Sequence, residues 1–381
     1  MSAIATLNPR ERYLATMQFA RPDRIPMTTM GPRESTLKRW REEGLPEKAH
    51  WFEFMCQELG IKYEQPQRPA PGLDVSFIMI PTFEEKVLEH NNGHYIVQDW
   101  MGNITEISDQ FDVTYIRNAK DFVTRKWHKF PVETREDFEK MKKRYNVDEP
   151  GRFPADFRDR CLRSRERDSL MRLHFSGPFW QMREWCGFEP LCMLFLDDPE
   201  FVREMCDFWS DFISSMLERI CAEVAVDCVH VSEDMAYKGA SMISPAMTRE
   251  FLLPVWSRWN RIIKTAGVPL YDIDSDGSLD DLIPVFIEGG FNICDPIEVA
   301  AGCDIVTYRN KYGKKIAYTG GIDKRCIAKG GVALEKEMSR IAPVVRSGGY
   351  IPGCDHGIPF DVSWKNMLHF GRLWAEVTGW L

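Results

Sequence analysis

Two short stretches concentrate the residues most able to do chemistry. In Tyr350–Asp361 (YIPGCDHGIPFD) two apolar residues lead into Cys354, Asp355 and His356, and Gly357 and Pro359 break the chain soon after. In Val268–Gly277 (VPLYDIDSDG) a second apolar run ends in Asp272, Asp274 and Asp276. Strand residues two apart share a face, so Asp272 and Asp274 point to one side, and Cys354 and His356 can do the same. Neighbouring carboxylates repel unless a cation or a base lies between them. Thiolate, imidazole and carboxylate together suit zinc better than magnesium or calcium. Asp272, Asp274, Cys354 and His356 are therefore the expected metal ligands. The same residues have a structural reading: Asp276 caps a helix, His356 bonds its loop and Cys354 is a buried thiol. A calcium loop starting at Asp272 is excluded, because its last position requires a bidentate glutamate and holds Ile283.

Other polar residues also fall at strand ends. Glu233, Asp272 and His174 are the candidate catalytic groups, with Glu233 as acid or ligand and His174 as proton carrier, although a satisfied core or loop histidine is an equal reading of His174. Tyr237 and Lys238 follow Glu233-Asp234 and can orient a substrate. Gly320 and Gly321 precede Asp323, Lys324 and Arg325, and give the backbone room beside a cofactor or ligand, or cradle a phosphate. Trp180 stands with Phe179, Met182 and Trp185 on one helix and can line a ring pocket; core packing explains the same four residues.

These residues need a scaffold, and the sequence supplies an alternation. From about residue 170 onward, apolar strands alternate with amphipathic helices for some two hundred residues. That pattern predicts a parallel sheet covered by helices. The predicted strands are Leu170–Phe175, Asp227–Ser232, Val268–Ile273, Phe291–Cys294, Lys315–Tyr318 and Tyr350–Pro352. No GxGxxG follows the first strand, so a dinucleotide-binding fold has no support. A closed (β/α)8 TIM barrel fits, with Ile25–Met30 as its first strand and the chemistry at the C-terminal strand ends. Between Tyr63 and Lys129 the pattern turns β-rich: Ser76–Ile80, His94–Met101, Asn103–Ser108 and Val113–Ile116 read as strands of an antiparallel insertion or cap. The expected division is 1–62 for N-terminal helices and the first strand, 63–130 for the insertion, and 131–381 for the rest of the barrel.

Composition narrows the function classes. The 381 residues are 44% hydrophobic with a net charge of −8, and the densest basic cluster is only Lys38–Arg41. A nucleic-acid binder would show a basic stripe, so none is expected. No apolar run approaches the ~18 residues of a membrane span. Eleven cysteines without a CxxC pair read as reduced thiols of a cytoplasmic protein, and the eighteen methionines suit anaerobic surroundings. A small-molecule enzyme, which can be a homodimer, is the expected class.

Four blocks carry a resemblance to the uroporphyrinogen decarboxylase superfamily: SEDMAYKGASMISP at 232–245, YDIDSDG at 271–277, TGGIDKR at 319–325 and GGYIPGCDHGIPFDVSW at 348–364. The resemblance implies a (β/α)8 barrel with its site at the C-terminal mouth. One branch of the superfamily decarboxylates tetrapyrroles without metal, using an arginine-rich early loop. Here GPRESTLKRW follows Ile25–Met30, with Arg33 the basic residue near the strand end, and the Arg-Gln-Ala-Gly-Arg run is missing. The other branch contains corrinoid-dependent methyltransferases that bind zinc through His-x-Cys and a later Cys. At those places this chain has Asp272-x-Asp274 and Cys354. Carboxylates in place of sulfur resemble the O-demethylases of the superfamily. The implied activity is transfer of a methyl group from a methoxylated aromatic to the cob(I)alamin of a separate corrinoid protein, assisted by zinc. Decarboxylation of uroporphyrinogen or a related polycarboxylate is the alternative.

Overall fold

The computed structural model describes residues 6–112 and 123–381. The expected strand Val113–Ile116 lies outside the described residues. The first helix, Pro9–Met17, starts as the sequence predicts. Asn8 caps it by accepting from the Glu11 amide, and the Glu11 carboxylate accepts from the Asn8 amide, so two otherwise orphaned N–H groups are satisfied.

An antiparallel sheet forms where the β-rich region was expected. Strands β1 (Lys86–Asn91), β2 (His94–Gln98), β3 (Ile104–Ser108) and β4 (Lys126–Lys129) lie in sequential order. The β2–β3 turn is built by Asp99, whose carboxylate accepts from the amides of Met101 and Asn103 at 3.0 and 2.9 Å. Ser76–Ile80 is not a strand.

The second half holds a six-stranded parallel sheet. Its members are β5 (Arg172–Ser176), β6 (Cys228–Ser232), β9 (Leu270–Asp274), β10 (Ile293–Asp295), β11 (Ala317–Ile322) and β12 (Tyr350–Cys354), in the spatial order β12-β11-β10-β9-β6-β5. A two-residue ribbon, β7 (Ala236–Tyr237) with β8 (Ala240–Ser241), fills the loop after β6. Helices follow the strands as the alternation predicts. The longest, Pro199–Cys221, buries Phe201, Met205, Trp209, Phe212, Met216 and Ile220 at three- and four-residue spacing, the stripe of a helix lying on a core.

Ile25–Met30 is extended but joins no ladder. It lies against the free edge of β12. The Cys354 amide donates to the Thr29 hydroxyl at 2.9 Å, and a methyl group on Gly353 would stand 2.8 Å from the Thr28 carbonyl.

Two cores result. The main one lies between the sheet and its helices and includes Phe175, Val231, Ile273, Tyr318 and Tyr350. A smaller one, on the opposite face of the sheet, joins Cys228, Leu270, Ile293, Ala317 and Ile351 to Tyr13 and Met17 of the first helix. That helix therefore seats against the N-terminal ends of the strands and forms a floor. All eleven cysteines are free, and among the described residues no helix is long and apolar enough to cross a membrane.

Candidate active site

Strand alternation puts every second side chain on the face away from the helices. On that face the sequence turns polar above the small core. His174, His230 and Asp272 stand side by side on β5, β6 and β9. Ser232, Asp274 and Asp295 form the next row, across β6, β9 and β10. The sheet is curled: Arg172 from one edge strand and Cys354 from the other line a single cavity of about 340 Å³. Tyr13, Thr29, Asp295, Thr319 and Gly320 share its wall.

Hydrogen bonds link these groups. His230 Nδ1 meets Asp272 Oδ2 at 2.7 Å, and its Nε2 lies 3.9 Å from Asp274. Burial opposes charge on both His230 and Asp272. Their mutual attraction outweighs it, raising the His230 pKa and lowering that of Asp272. The Ser232 hydroxyl donates to Asp274 at 3.0 Å and lies 2.9 Å from His174 Nε2. Burial, and then the neighbouring Asp295 charge, push Asp274 up to about 7. Burial, then His230 and Arg172, push His174 down to about 4. The Thr319 hydroxyl donates to Asp295, whose pKa burial and Asp272 raise.

Among the described residues, the one group of three potential ligands with donor atoms within 4.8 Å of one another is His230, Asp272 and Asp295. Asp272 is fully buried, and its Oδ1 has no hydrogen-bond partner. A buried carboxylate oxygen without a donor is costly, and a cation at this point would satisfy it. One imidazole and two carboxylates suit a borderline or hard divalent ion, zinc included.

The expected set Asp272, Asp274, Cys354 and His356 does not come together as a unit. Asp272 and Asp274 do share the cavity face. Cys354 has the parity of Tyr350 and belongs with it to the main core, whereas Ile351 of the same strand faces the small core. Cys354 is 2% exposed, burial raises its thiol to about 12, and its sulfur stands 4.0 Å from Asp355 Oδ1. It borders the cavity without joining the three-ligand group. His356 pairs with Asp276 at 3.1 Å, and that hydrogen bond raises its pKa.

Glu233 lies behind the cavity wall. It accepts from the amides of Phe179 and Trp180 at 3.0 and 3.2 Å and from the Trp256 indole at 2.7 Å. It thus fastens the start of the helix Pro178–Cys186 to β6, and burial raises its carboxyl to about 8. Phe179, Met182 and Trp185 of that helix are fully buried in the main core. Trp180 stacks under Arg183 at 4.3 Å. Tyr237 and Lys238 are exposed on and beside the β7–β8 ribbon. Gly320 lines the cavity and Gly321 does not; both have left-handed backbone, and a methyl group on Gly321 would press to 3.2 Å from the Tyr350 hydroxyl.

His230, Arg172 and Ser232 escaped the sequence-based selection of site residues. His230 sits in CVHVS between two valines and reads as core. Its two-residue spacing from Ser232, whose strand ends in polar residues, was the available signal.

The profile of the uroporphyrinogen decarboxylase (URO-D) family matches residues 128–376. A methyltransferase from Methanosarcina mazei has a similar structure, with a TM-score of 0.54 and 13% identity, covering 97% of this chain and 99% of that one. A B12-independent methionine synthase from Shewanella sp. W3-18-1 scores 0.37 at 11% identity, covering 60% of this chain and 67% of its own. No curated protein matches. The family match spans more than half of the chain, which therefore belongs to the uroporphyrinogen decarboxylase family.

Proposed function

We propose that this member of the uroporphyrinogen decarboxylase family is a methyltransferase. It moves the methyl group of a methoxylated aromatic to the reduced corrinoid of a separate protein. Its frame is a (β/α)8 barrel, of which the parallel sheet supplies six strands and Ile25–Met30, seated along β12, helps close the circle. The observation that carries the reading is the His230–Asp272–Asp295 group, with its orphaned carboxylate oxygen, whose Asp295 lines a cavity sized for one aromatic ring. At about 340 Å³ the cavity is near the lower end of small-molecule sites.

His230, Asp272 and Asp295 would hold zinc. Bound there, the ion supplies Lewis acidity that weakens the bond from an ether oxygen to its methyl group. The remaining chemistry belongs to the chain. Asp274 has its pKa raised to about 7 and so carries a proton for part of the time near neutrality. It can give that proton to the phenolate oxygen left when the methyl group departs. Exposed, neutral His174 and the Ser232 hydroxyl connect Asp274 to solvent and return the proton. Thr319 holds Asp295 in place.

Tetrapyrrole decarboxylation has less support. It needs several free cations at the mouth, and Lys324 is bound to Glu298 and Arg325 to Asp323, which leaves Arg172 as the cation lining the cavity.

The test is to incubate the purified protein anaerobically with reduced cobalamin and methoxylated benzenes, and to measure the phenol released and zinc content. One phenol per methyl group transferred, lost together with the zinc after chelation, is the expected result. Carbon dioxide release from uroporphyrinogen without phenol formation would replace this reading with the alternative.

A further inference from the structure

Arg172 has no part in the chemistry described above, and its setting is unusual. It opens β5 and, like His174 two residues on, faces the cavity, where it is accessible to solvent. Among the described residues no carboxylate lies within ion-pair distance of its guanidinium. The nearby acids hydrogen-bond elsewhere, Asp272 with His230, Asp274 with Ser232 and Asp295 with Thr319, and the charges of Asp272 and Asp295 reach Arg172 only at longer range. Arginine offers five N–H donors. Here Nη2 donates to the Tyr13 hydroxyl at 2.8 Å and the guanidinium also reaches the Cys228 thiol, which leaves N–H donors of the fork for the cavity that Arg172 lines.

Tyr13 reinforces the arrangement. Its hydroxyl accepts from Arg172, and its own hydrogen has no acceptor among the described residues. Burial raises its pKa, so the hydrogen stays in place as a second donor. Arg172 and Tyr13 thus present N–H and O–H donors together at the floor of the cavity, with apolar Leu170 and Met30 nearby on the wall. A cation in such a place is stabilised by an anion from outside, and a planar fork matches a carboxylate.

We propose that Arg172 and Tyr13 form a carboxylate subsite, so that the ligand of this cavity is an aromatic carboxylate whose ring lies against the apolar wall. The subsite extends the methyl-transfer reading by assigning the donor's charge, and it rests on that reading for the methoxy group alone.

Binding to the full-length protein, measured by calorimetry without any corrinoid, tests it. The probes are 4-methoxybenzoate and its neutral isostere 4-methoxybenzamide. Wild type should prefer the carboxylate by about tenfold or more, the range of a charge-assisted hydrogen-bond pair. Arg172→Gln should bring the ratio to about one. Arg172→Lys, which keeps the charge but loses the fork, should retain part of the preference, as should Tyr13→Phe. Equal binding of both probes by wild type overturns the proposal, and so does an undiminished preference in Arg172→Gln. Carboxylate preference without methyl transfer would refute the methyltransferase and leave the subsite standing. Methyl transfer from neutral methoxyarenes, unchanged in Arg172→Gln, would do the reverse.

Discussion

Strands β9 and β12 bring potential ligands to the same end of one sheet, yet they deliver them differently. On β9, Asp272 and Asp274 alternate with Tyr271 and Ile273, so the acids face the cavity and the apolar residues face the helices. β12 keeps the same phase, with Ile351 level with Thr319, but it puts Ile351 and Gly353 at its inward positions. Ile351 faces the inner core and Cys354 goes with Tyr350 toward the helices. A ligand's usefulness is therefore set by its parity within the strand as well as by its position at the strand end. His230 on β6 and Asp295 on β10 stand at inward positions, and they complete the group that β12 does not.

The sharpest way to break this comparison is to remove a ligand from each side. His230→Ala or Asp295→Ala should lower zinc affinity by at least ~100-fold, the upper range for losing even a supporting group, and abolish phenol release. Metal analysis after dialysis reads the result. Zinc fully retained in both would dissolve the distinction between the strands.

Next in size is Glu233, behind the wall. Glu233→Gln turns an amide NH₂ toward a buried N–H donor and should cost about 1–3 kcal/mol in denaturant unfolding. It should also change the pH dependence. The carboxyl is raised by burial to about 8 in the folded protein, against about 4.3 in an unfolded chain. The folded state therefore holds the proton more tightly. The stability this contributes is complete below about pH 4.3 and is lost as pH rises through about 8. The fall in melting temperature across that window should be shallower in Glu233→Gln.

Cys354→Ala should cost about 1 kcal/mol through lost packing and leave zinc content unchanged. A loss of zinc in this variant would restore the thiol to the ligand set. The smallest effect is expected from His356→Ala. Its pair with Asp276 is partly exposed, so its removal should change stability by less than about 1 kcal/mol.

Much of this was legible in the sequence. The six parallel strands follow from apolar runs ended by acids and glycines, and the helix starts follow from caps such as Asn8 and Ser244. Asp272 and Asp274 sharing a face follows from the period of a strand. What escaped depends on contacts distant in sequence. Ile25–Met30 has strand-like residues but no ladder partner, and residue types alone do not reveal that. His230 looks like core until β9 places Asp272 beside it. Cys354 looks like a ligand because which face of β12 turns inward depends on how the sheet curls and on where the first helix seats.

That first helix links the two ends of the chain. Gly349 donates to the Thr16 carbonyl, Ile25 donates to Thr378, and the Trp380 indole closes on the Ile25 carbonyl across 355 residues of sequence. Contacts of such separation must wait for the intervening chain and pay its loop-closure entropy, so they form slowly. During synthesis the N-terminal segment emerges first but can take its place only after the last strand and helix have been made. The floor of the cavity, with Tyr13 and its bond to Arg172, is thus expected to be among the last parts of the molecule to become native.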